Sequence, residues 1–133
     1  MKEQEVINRV ANSGLINIDL SSYAPKDNIL EIDIKQFLFK GLILKEKDFR
    51  LALKSFNFEH YREKTVAIYC SSNTIVPMWA YMLVTTCLND IGSKIFFGNK
   101  SEVFQSVFLE NVYSIDSDDF IGKKVLVNGC GNV

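Results

Sequence analysis

The sequence lacks any motif of high specificity for catalysis or cofactor binding. Gly98-Asn99-Lys100-Ser101 has neither the adjacent Gly-Lys nor the upstream glycine of a P-loop, and Gly129-Cys130-Gly131 is only a fragment of a glycine-rich turn. The three cysteines, Cys70, Cys87 and Cys130, are widely spaced and form no CxxC. This pattern argues against a disulfide framework and a four-thiolate zinc site, so we expect reduced thiols and no metal site, and the cofactor stays unknown.

Excess charge and long apolar runs are also missing. Fifteen Lys plus Arg stand against sixteen Asp plus Glu, which leaves a formal charge of -1 and predicts no nucleic-acid partner. No apolar run approaches the ~20 residues of a membrane span, and the amino terminus MKEQEVINRVANS is too polar for a signal peptide. We therefore expect a cytoplasmic protein with no membrane partner.

What the chain does contain is enough apolar sequence for one core. At 133 residues and 47% hydrophobic, with ten Phe, it is long enough for one domain and too short for two ordinary ones. We predict a single domain over residues 1–133. In it a small mixed N-terminal part, residues 1–60, packs on residues 61–133.

The residue pattern of the N-terminal part predicts a helix and a pair of strands. Val6, Ile7 and Val10 share a helical face, and alternating residues over 16–20 and 30–34 predict two antiparallel strands. Asp33 could instead cap a helix through Phe39. A further helix follows, because four apolar residues keep the spacing of a buried face: Phe49, Ala52, Leu53 and Phe56.

From Lys64 onward, strands alternate with helices. Strands are predicted over 65–69, 94–97 and 124–127, with helices over 76–91 and from a capping pair at Asn99 and Glu102. The helical stripes are Val76, Ala80, Leu83 and Cys87 in the first helix, and Phe104, Val107, Phe108 and Val112 in the second. Strands joined in this way are parallel, so the fold class is α/β, a three-layer sheet with a parallel β-α-β-α-β core.

The strand that precedes Cys70 resembles the one that precedes Cys130. Residues 61–73 are similar to residues 120–132. This similarity predicts an internal repeat whose second copy lacks its helix and closing strand. Equivalent halves favour the strand order 94–97, 65–69, 124–127, with Cys70 facing Cys130 across a crevice. The order that places 94–97 in the middle stays open. An incomplete sheet leaves an exposed edge, so we expect a homodimer or a longer natural chain.

Several stretches resemble one known family. IDL, LFKGLILKEKDFR, CSSNTIVPMWAYML and FFGN are similar to an uncharacterised bacterial family known only as a domain of unknown function. The resemblance covers nearly the whole chain and implies the fold described above. In that family a further helix and strand follow the second cysteine loop, so this sequence ends early, and the family implies no activity.

The candidate ligand site lies where the predicted strands end, because ligands gather at the carboxyl ends of parallel strands. Its residues supply hydroxyls, amides, thiols and glycines suited to a small anion or polar ligand: Cys70, Ser71, Ser72, Asn73, Asn99, Lys100, Ser101, Gly129, Cys130, Gly131 and Asn132. Turns and helix caps also require Gly, Asn and Ser, so a purely structural role is the alternative.

Cys70 is the best candidate nucleophile or metal ligand, because a thiol just ahead of a helix gains thiolate character. The alternative is that Cys70 is an inert buried cysteine, as we expect for Cys87. His60 precedes the strand that ends at Cys70, roughly 15 Å away, and cannot be its base. Asp116, Asp118 and Asp119 indicate a solvated turn, and Trp79 and Tyr81 pack in the core or support the rim. We therefore favour a binding or assembly module, with a thiol-dependent or metal-assisted enzyme centred on Cys70 as the alternative.

Overall fold

The computed structural model describes residues 14–131, and these residues contain five strands and three α-helices. The strands are β1 (Ile16–Asp19), β2 (Leu30–Asp33), β3 (Thr65–Tyr69), β4 (Lys94–Phe97) and β5 (Val125–Asn128). The helices are α1 (Glu46–Ser55), α2 (Met78–Asn89) and α3 (Lys100–Tyr113). Short 3-10 turns follow β1 and β2 and precede β3 and β5. The predicted helix with Val6, Ile7 and Val10 lies outside the described residues.

All strand pairs are parallel and form two sheets. The larger sheet has the order β2-β3-β4, and β1 pairs with β5 in a second, two-stranded sheet. This confirms the α/β class with parallel strands. The predicted antiparallel pairing of residues 16–20 with 30–34 is wrong. Each of these strands pairs instead with a distant strand, and the intervening chain is long enough for a parallel connection.

The predicted strand order is also wrong. β3 has β4 on one side and β2 on the other, so no edge of β3 is left for β5. The helices and strands of the predicted β-α-β-α-β core follow one another along the chain in the predicted order. The third strand of that core, however, belongs to the other sheet. The reason is that β2, which we assigned to the N-terminal part, occupies the position expected for the third strand.

The chain divides into two compact units, which do not follow the division predicted at residue 60. One unit contains residues 26–106 with the three-stranded sheet. The other contains the described residues up to 25 together with those from 107 onward, and it holds the β1–β5 pair. The single domain stays a prediction.

The core of the 26–106 unit lies between one face of its sheet and helices α1 and α2. Its buried members include Ile32, Val66 and Ile68, which alternate with residues on the opposite face. Phe49 and Leu53 of α1 are buried against them, and Ala52 and Phe56 are partly buried, which confirms the apolar face predicted for this helix.

In α2 the buried face only partly matches the predicted stripe, of which Ala80 is buried and Val76 and Leu83 pack against the core. Ala80, Val84 and Leu88 are fully buried, whereas Leu83 and Cys87 are only half-buried. The helix is apolar around most of its circumference, so the periodicity alone did not fix which side faces the sheet. Within residues 14–131, no helix is both long enough and apolar enough to cross a membrane.

Candidate functional site

The carboxyl ends of β2 and β3 are joined by side-chain hydrogen bonds at Asp33. The amide of Ser71 donates to Asp33 Oδ1 at 3.0 Å, and the Ser71 hydroxyl donates to Oδ2 at 2.6 Å. Asp33 Oδ1 also accepts a hydrogen bond from the amide of Lys35 at 3.0 Å, which caps the 3-10 turn Ile34–Phe37. Asp33 therefore ends the strand and also caps the next turn, but this is a short 3-10 turn that ends at Phe37 and not a helix through Phe39.

The hydrogen bonds at Asp33 favour its ionised form. Partial burial opposes ionisation, but the two bonds from Ser71, the amide of Lys35 and the charge of Lys35 outweigh it, so the pKa of Asp33 is lowered. The edge of the sheet thus carries a negative charge beside the loop that follows β3.

Cys70 directly precedes Ser71, and the charge of Asp33 also acts on Tyr81. Burial raises the pKa of Tyr81, and the negative charge of Asp33 raises it further. The Tyr81 ring packs edge-on against Phe97 at the end of β4, with 5.7 Å between ring centroids. Cys70 is half-buried and packs against the core cluster. The Asp33 carboxylate and the Ser71 hydroxyl are therefore in contact at this edge, and Cys70 is the residue before Ser71.

The loop between β3 and α2 is longer than the sequence indicated. The helix begins at Met78, so Cys70 does not stand directly ahead of a helix amino terminus, and the electrostatic reason for a reactive Cys70 is lost. Within the loop, the hydroxyls of Ser72 and Thr74 lie 3.1 Å apart. Thr74 Oγ1 in turn donates to the carbonyl of Leu42, which fixes the loop to the segment after β2.

The loop after β4 lies at the same edge of the sheet, but its polar groups are used within the protein. Glu102 N donates to Asn99 Oδ1 at 3.0 Å and Asn99 N donates to Glu102 Oε2 at 2.9 Å, which confirms the predicted capping pair. Lys100 donates from its amide to Glu31 at 3.3 Å and from Nζ to Asn28 Oδ1 at 2.9 Å. This loop therefore serves mainly to start α3.

The third predicted loop belongs to the other sheet. Gly129, Cys130 and Gly131 follow β5, and all three are exposed, while Asn132 lies outside the described residues. Because β5 pairs with β1 and not with β3, the predicted arrangement of Cys70 and Cys130 on neighbouring strands is wrong. Only two of the three loops end strands of the same sheet.

Two residues of the site were missed or left undecided by the sequence. Asp33 was considered only as a strand residue or helix cap, and Tyr81 as core or rim. In the sequence, Asp33 is visible as a carboxylate at the end of a strand with alternating residues. This position indicates a site residue only once β2 is known to neighbour β3. Trp79 packs edge-on against Phe49 at 5.7 Å and partly covers the core.

The remaining titratable candidates lie elsewhere. His60 is in the 3-10 turn Phe58–Tyr61 before β3, at the opposite end of the strand from Cys70, as expected. Asp116 caps the turn Ser117–Phe120 by accepting a hydrogen bond from Asp118 N, and Asp118 and Asp119 are exposed. Among residues 14–131, no group of three or more His, Cys, Asp or Glu side chains is placed to hold a metal ion.

Comparison with known proteins gives one match. No curated protein and no solved structure is significantly similar to the chain. A family model with the description "Protein of unknown function (DUF2480)" matches residues 4–133, which is nearly the whole sequence, and the chain therefore belongs to this family.

Proposed function

We propose that the chain is a small cytoplasmic bacterial protein that works as a binding or assembly module. Its ligand would be a small polar molecule held at the edge where β2 and β3 end. The observation that carries this proposal is the Asp33 carboxylate, which accepts two hydrogen bonds from Ser71, the residue after Cys70, and whose ionised form is favoured.

The hydrogen-bonding capacity of Asp33 supports a ligand that donates hydrogen bonds. A carboxylate offers about four lone-pair sites, and Ser71 and Lys35 occupy three of them. The site left over is on Oδ2, beside the Ser71 hydroxyl that donates to the same atom. A hydroxyl or amine ligand matches this arrangement, and we assign its contacts to Asp33, Cys70, Ser71, Ser72, Asn73 and Tyr81.

A small anion, the other ligand class that the loops suggested, is supported less well. The rim carries a carboxylate whose pKa is lowered, and this charge repels anions. The ammonium group of Lys100 is already hydrogen-bonded to Asn28. Asn99, Lys100 and the exposed Gly129–Gly131 loop are therefore secondary positions in the proposal.

The enzyme alternative centred on Cys70 has less support. The thiol packs against the core, and the only histidine of the chain, His60, lies at the other end of β3. Asp33 accepts two hydrogen bonds from Ser71, and its lowered pKa makes it a weak base. The histidine that nucleophilic catalysis by a cysteine ordinarily uses as its base is therefore not near Cys70.

The proposal includes an internal repeat and a homodimer. Support for the repeat comes from the strand registers: Ile16 pairs with Val125 and Asp19 with Asn128, as Leu30 pairs with Val66 and Asp33 with Tyr69. Both Asp19 and Asp33 cap the 3-10 turn that follows their strand. The dimer is supported by β5, whose side chains are all exposed and which has β1 as its one strand partner among the described residues.

A thermal-shift and NMR titration screen tests the ligand proposal. Matched sets of polyols, amines, carboxylates and phosphates would be added to the wild-type chain and to Asp33→Asn. We expect polyols or amines to shift resonances of Ser71–Asn73 in the wild type and not in Asp33→Asn. Asp19→Asn, the equivalent change in the other sheet, is the control and should bind normally. Binding only by phosphates, or binding that Asp33→Asn leaves unchanged, would contradict the proposed site.

A further inference from the structure

The segment after β2 forms a tight hairpin that presents apolar side chains to solvent. Phe39 and Ile43 pair as an antiparallel bridge, with Phe39 N donating to Ile43 O at 2.7 Å and Ile43 N donating to Phe39 O at 3.1 Å. Lys40 and Gly41 turn the chain with φ values of 50° and 67°. This left-handed conformation is uncommon for a lysine, so the hairpin depends on this particular turn conformation.

The hairpin and the loop before α2 together form one exposed apolar surface, which we call the hairpin surface: Phe39, Leu42, Ile43, Ile75 and Met78. Leu42 is 61% exposed, Ile75 is 92% exposed and Met78 is 66% exposed. The bond from Thr74 Oγ1 to the carbonyl of Leu42 holds the two segments together. Adjacent exposed apolar side chains of this size are typical of an interaction site.

The charges within the hairpin segment are all positive, although Asp33 precedes it and Glu46 and Asp48 follow it. Residues 34–45 contain Lys35, Lys40 and Lys45 and no acidic residue, and residues 71–78 carry no charge. Lys45 Nζ lies 3.6 Å from the centre of the Phe39 ring and Lys40 Nζ lies 5.4 Å from it. Neither lysine forms an ion pair within the described part of the chain. The matching partner surface is therefore acidic with an apolar residue at its centre.

The chain itself contains such a surface in the acidic turn, residues 116–121. Asp116, Asp118 and Asp119 stand there beside Phe120 and Ile121, and Ile121 is 74% exposed. Asp116 accepts the hydrogen bond that caps the turn. No hydrogen bond or ion pair among residues 14–131 engages the side chains of Asp118 and Asp119.

We infer that the hairpin surface binds the acidic turn of a second copy of the chain. Leu42 and Ile75 pack against Ile121 of the second copy, and Lys40 and Lys45 meet Asp118 and Asp119. In a two-fold dimer each copy supplies both surfaces, so the contact is made twice. This inference rests on the homodimer in the proposed function and assigns its interface.

Sedimentation equilibrium of charge-reversed variants tests the interface. The hairpin variant is Lys40→Glu with Lys45→Glu, and the turn variant is Asp118→Lys with Asp119→Lys, which leaves the cap at Asp116 intact. Each should raise the dimer dissociation constant by at least roughly tenfold, because two attractive contacts become repulsive. The matched controls, Lys26→Glu and Asp27→Lys, change exposed charges outside both surfaces and should stay within about twofold of the wild type.

Mixing the two variants gives the decisive result. In an equimolar mixture both contacts again join opposite charges, so a heterodimer should form with close to wild-type affinity, although each variant alone is monomeric. Circular dichroism of each variant verifies the fold. A monomeric wild type would overturn the proposed homodimer together with this interface. A wild-type dimer that neither variant weakens would overturn the interface alone, as would binding of the wild-type dimer to anionic lipid vesicles that the hairpin variant abolishes.

Discussion

Ser71 donates two hydrogen bonds to the carboxylate of Asp33, one from its amide at 3.0 Å and one from its hydroxyl at 2.6 Å, across 38 residues of chain. Hydrogen bonds to an ionised acceptor are stronger than neutral ones. The two bonds join the ends of β2 and β3, and they also fix the position of the carboxylate in the candidate site. The same contact therefore serves the fold and the proposed ligand.

Replacing Ser71 with alanine should destabilise the protein. The variant loses the hydroxyl bond to Asp33 and keeps the amide bond, so we expect the free energy of unfolding to fall by about 1–2 kcal/mol. Urea unfolding at neutral pH measures the change. Ser55→Ala is the matched control, because Ser55 is exposed and its hydroxyl bonds only to carbonyls of its own helix, and it should change stability by less than about 0.5 kcal/mol.

The contribution of Asp33 to stability should depend on pH. Its pKa in the folded protein is lowered from the ordinary value of 3.8, so its ionised form stabilises the fold. This contribution is fully present above 3.8 and is lost as the pH falls through the lower, folded pKa. The stability difference between wild type and Asp33→Asn should therefore be largest at neutral pH and shrink below 3.8, as urea unfolding over a pH series can measure. A difference that is constant with pH would contradict the role of the charge.

Gly98 should not tolerate a side chain. Its φ is +129°, and a Cβ placed there would lie 2.6 Å from Glu102 Oε2, the atom that accepts the hydrogen bond of Asn99 N. Gly98→Ala strains the backbone and displaces the cap of α3, so we expect a loss of about 1–3 kcal/mol. Gly129→Ala, with no heavy atom within 4 Å of the added Cβ, is the control and should be nearly neutral. Equal effects of the two changes would contradict the steric explanation.

Local features of this fold could be predicted from the sequence because neighbouring residues determine them. The capping pair of Asn99 and Glu102 joins residues three positions apart, and the buried face of α1 follows from the spacing of Phe49 and Leu53. Both depend on short-range geometry that is visible in the order of the residues.

The strand partners could not be predicted in the same way. Alternating residues in β1 and β2 indicate which side chains share a face, but alternation carries no information on the neighbouring strand or its direction. The pairing of β2 with β3 depends on contacts such as Asp33 with Ser71, which are distant in sequence. Since the site is formed by this pairing, Asp33 and Tyr81 could not be recognised before the sheet was known.

Phe49 should be the main support of α1. It is fully buried and packs edge-on against Phe37 at 5.9 Å and against Trp79 at 5.7 Å. Phe49→Ala leaves a cavity between the helix and the sheet, and we expect a loss of about 3–5 kcal/mol. Leu51→Ala removes an exposed apolar residue from the same helix and should cost less than about 0.5 kcal/mol. Thermal and urea unfolding of both variants provide the comparison.

The three thiols should react with iodoacetamide at clearly different rates. Cys130 is exposed, and it should be modified first at neutral pH. Cys87 is half-buried, and burial together with the nearby charge of Asp90 raises the pKa of its thiol, so less of the reactive thiolate is present. Cys70 packs against the core cluster and should also react more slowly than Cys130.

Mass spectrometry of digested samples taken over time measures these rates, and concentrated guanidinium chloride should make all three similar. The outcome for Cys70 separates the two functional classes. A packing cysteine gains reactivity on unfolding, because unfolding exposes it. A catalytic thiolate reacts faster in the folded protein than in the unfolded chain, because only the folded site lowers its pKa. Faster labelling of Cys70 in the folded state would therefore favour the enzyme over the binding module.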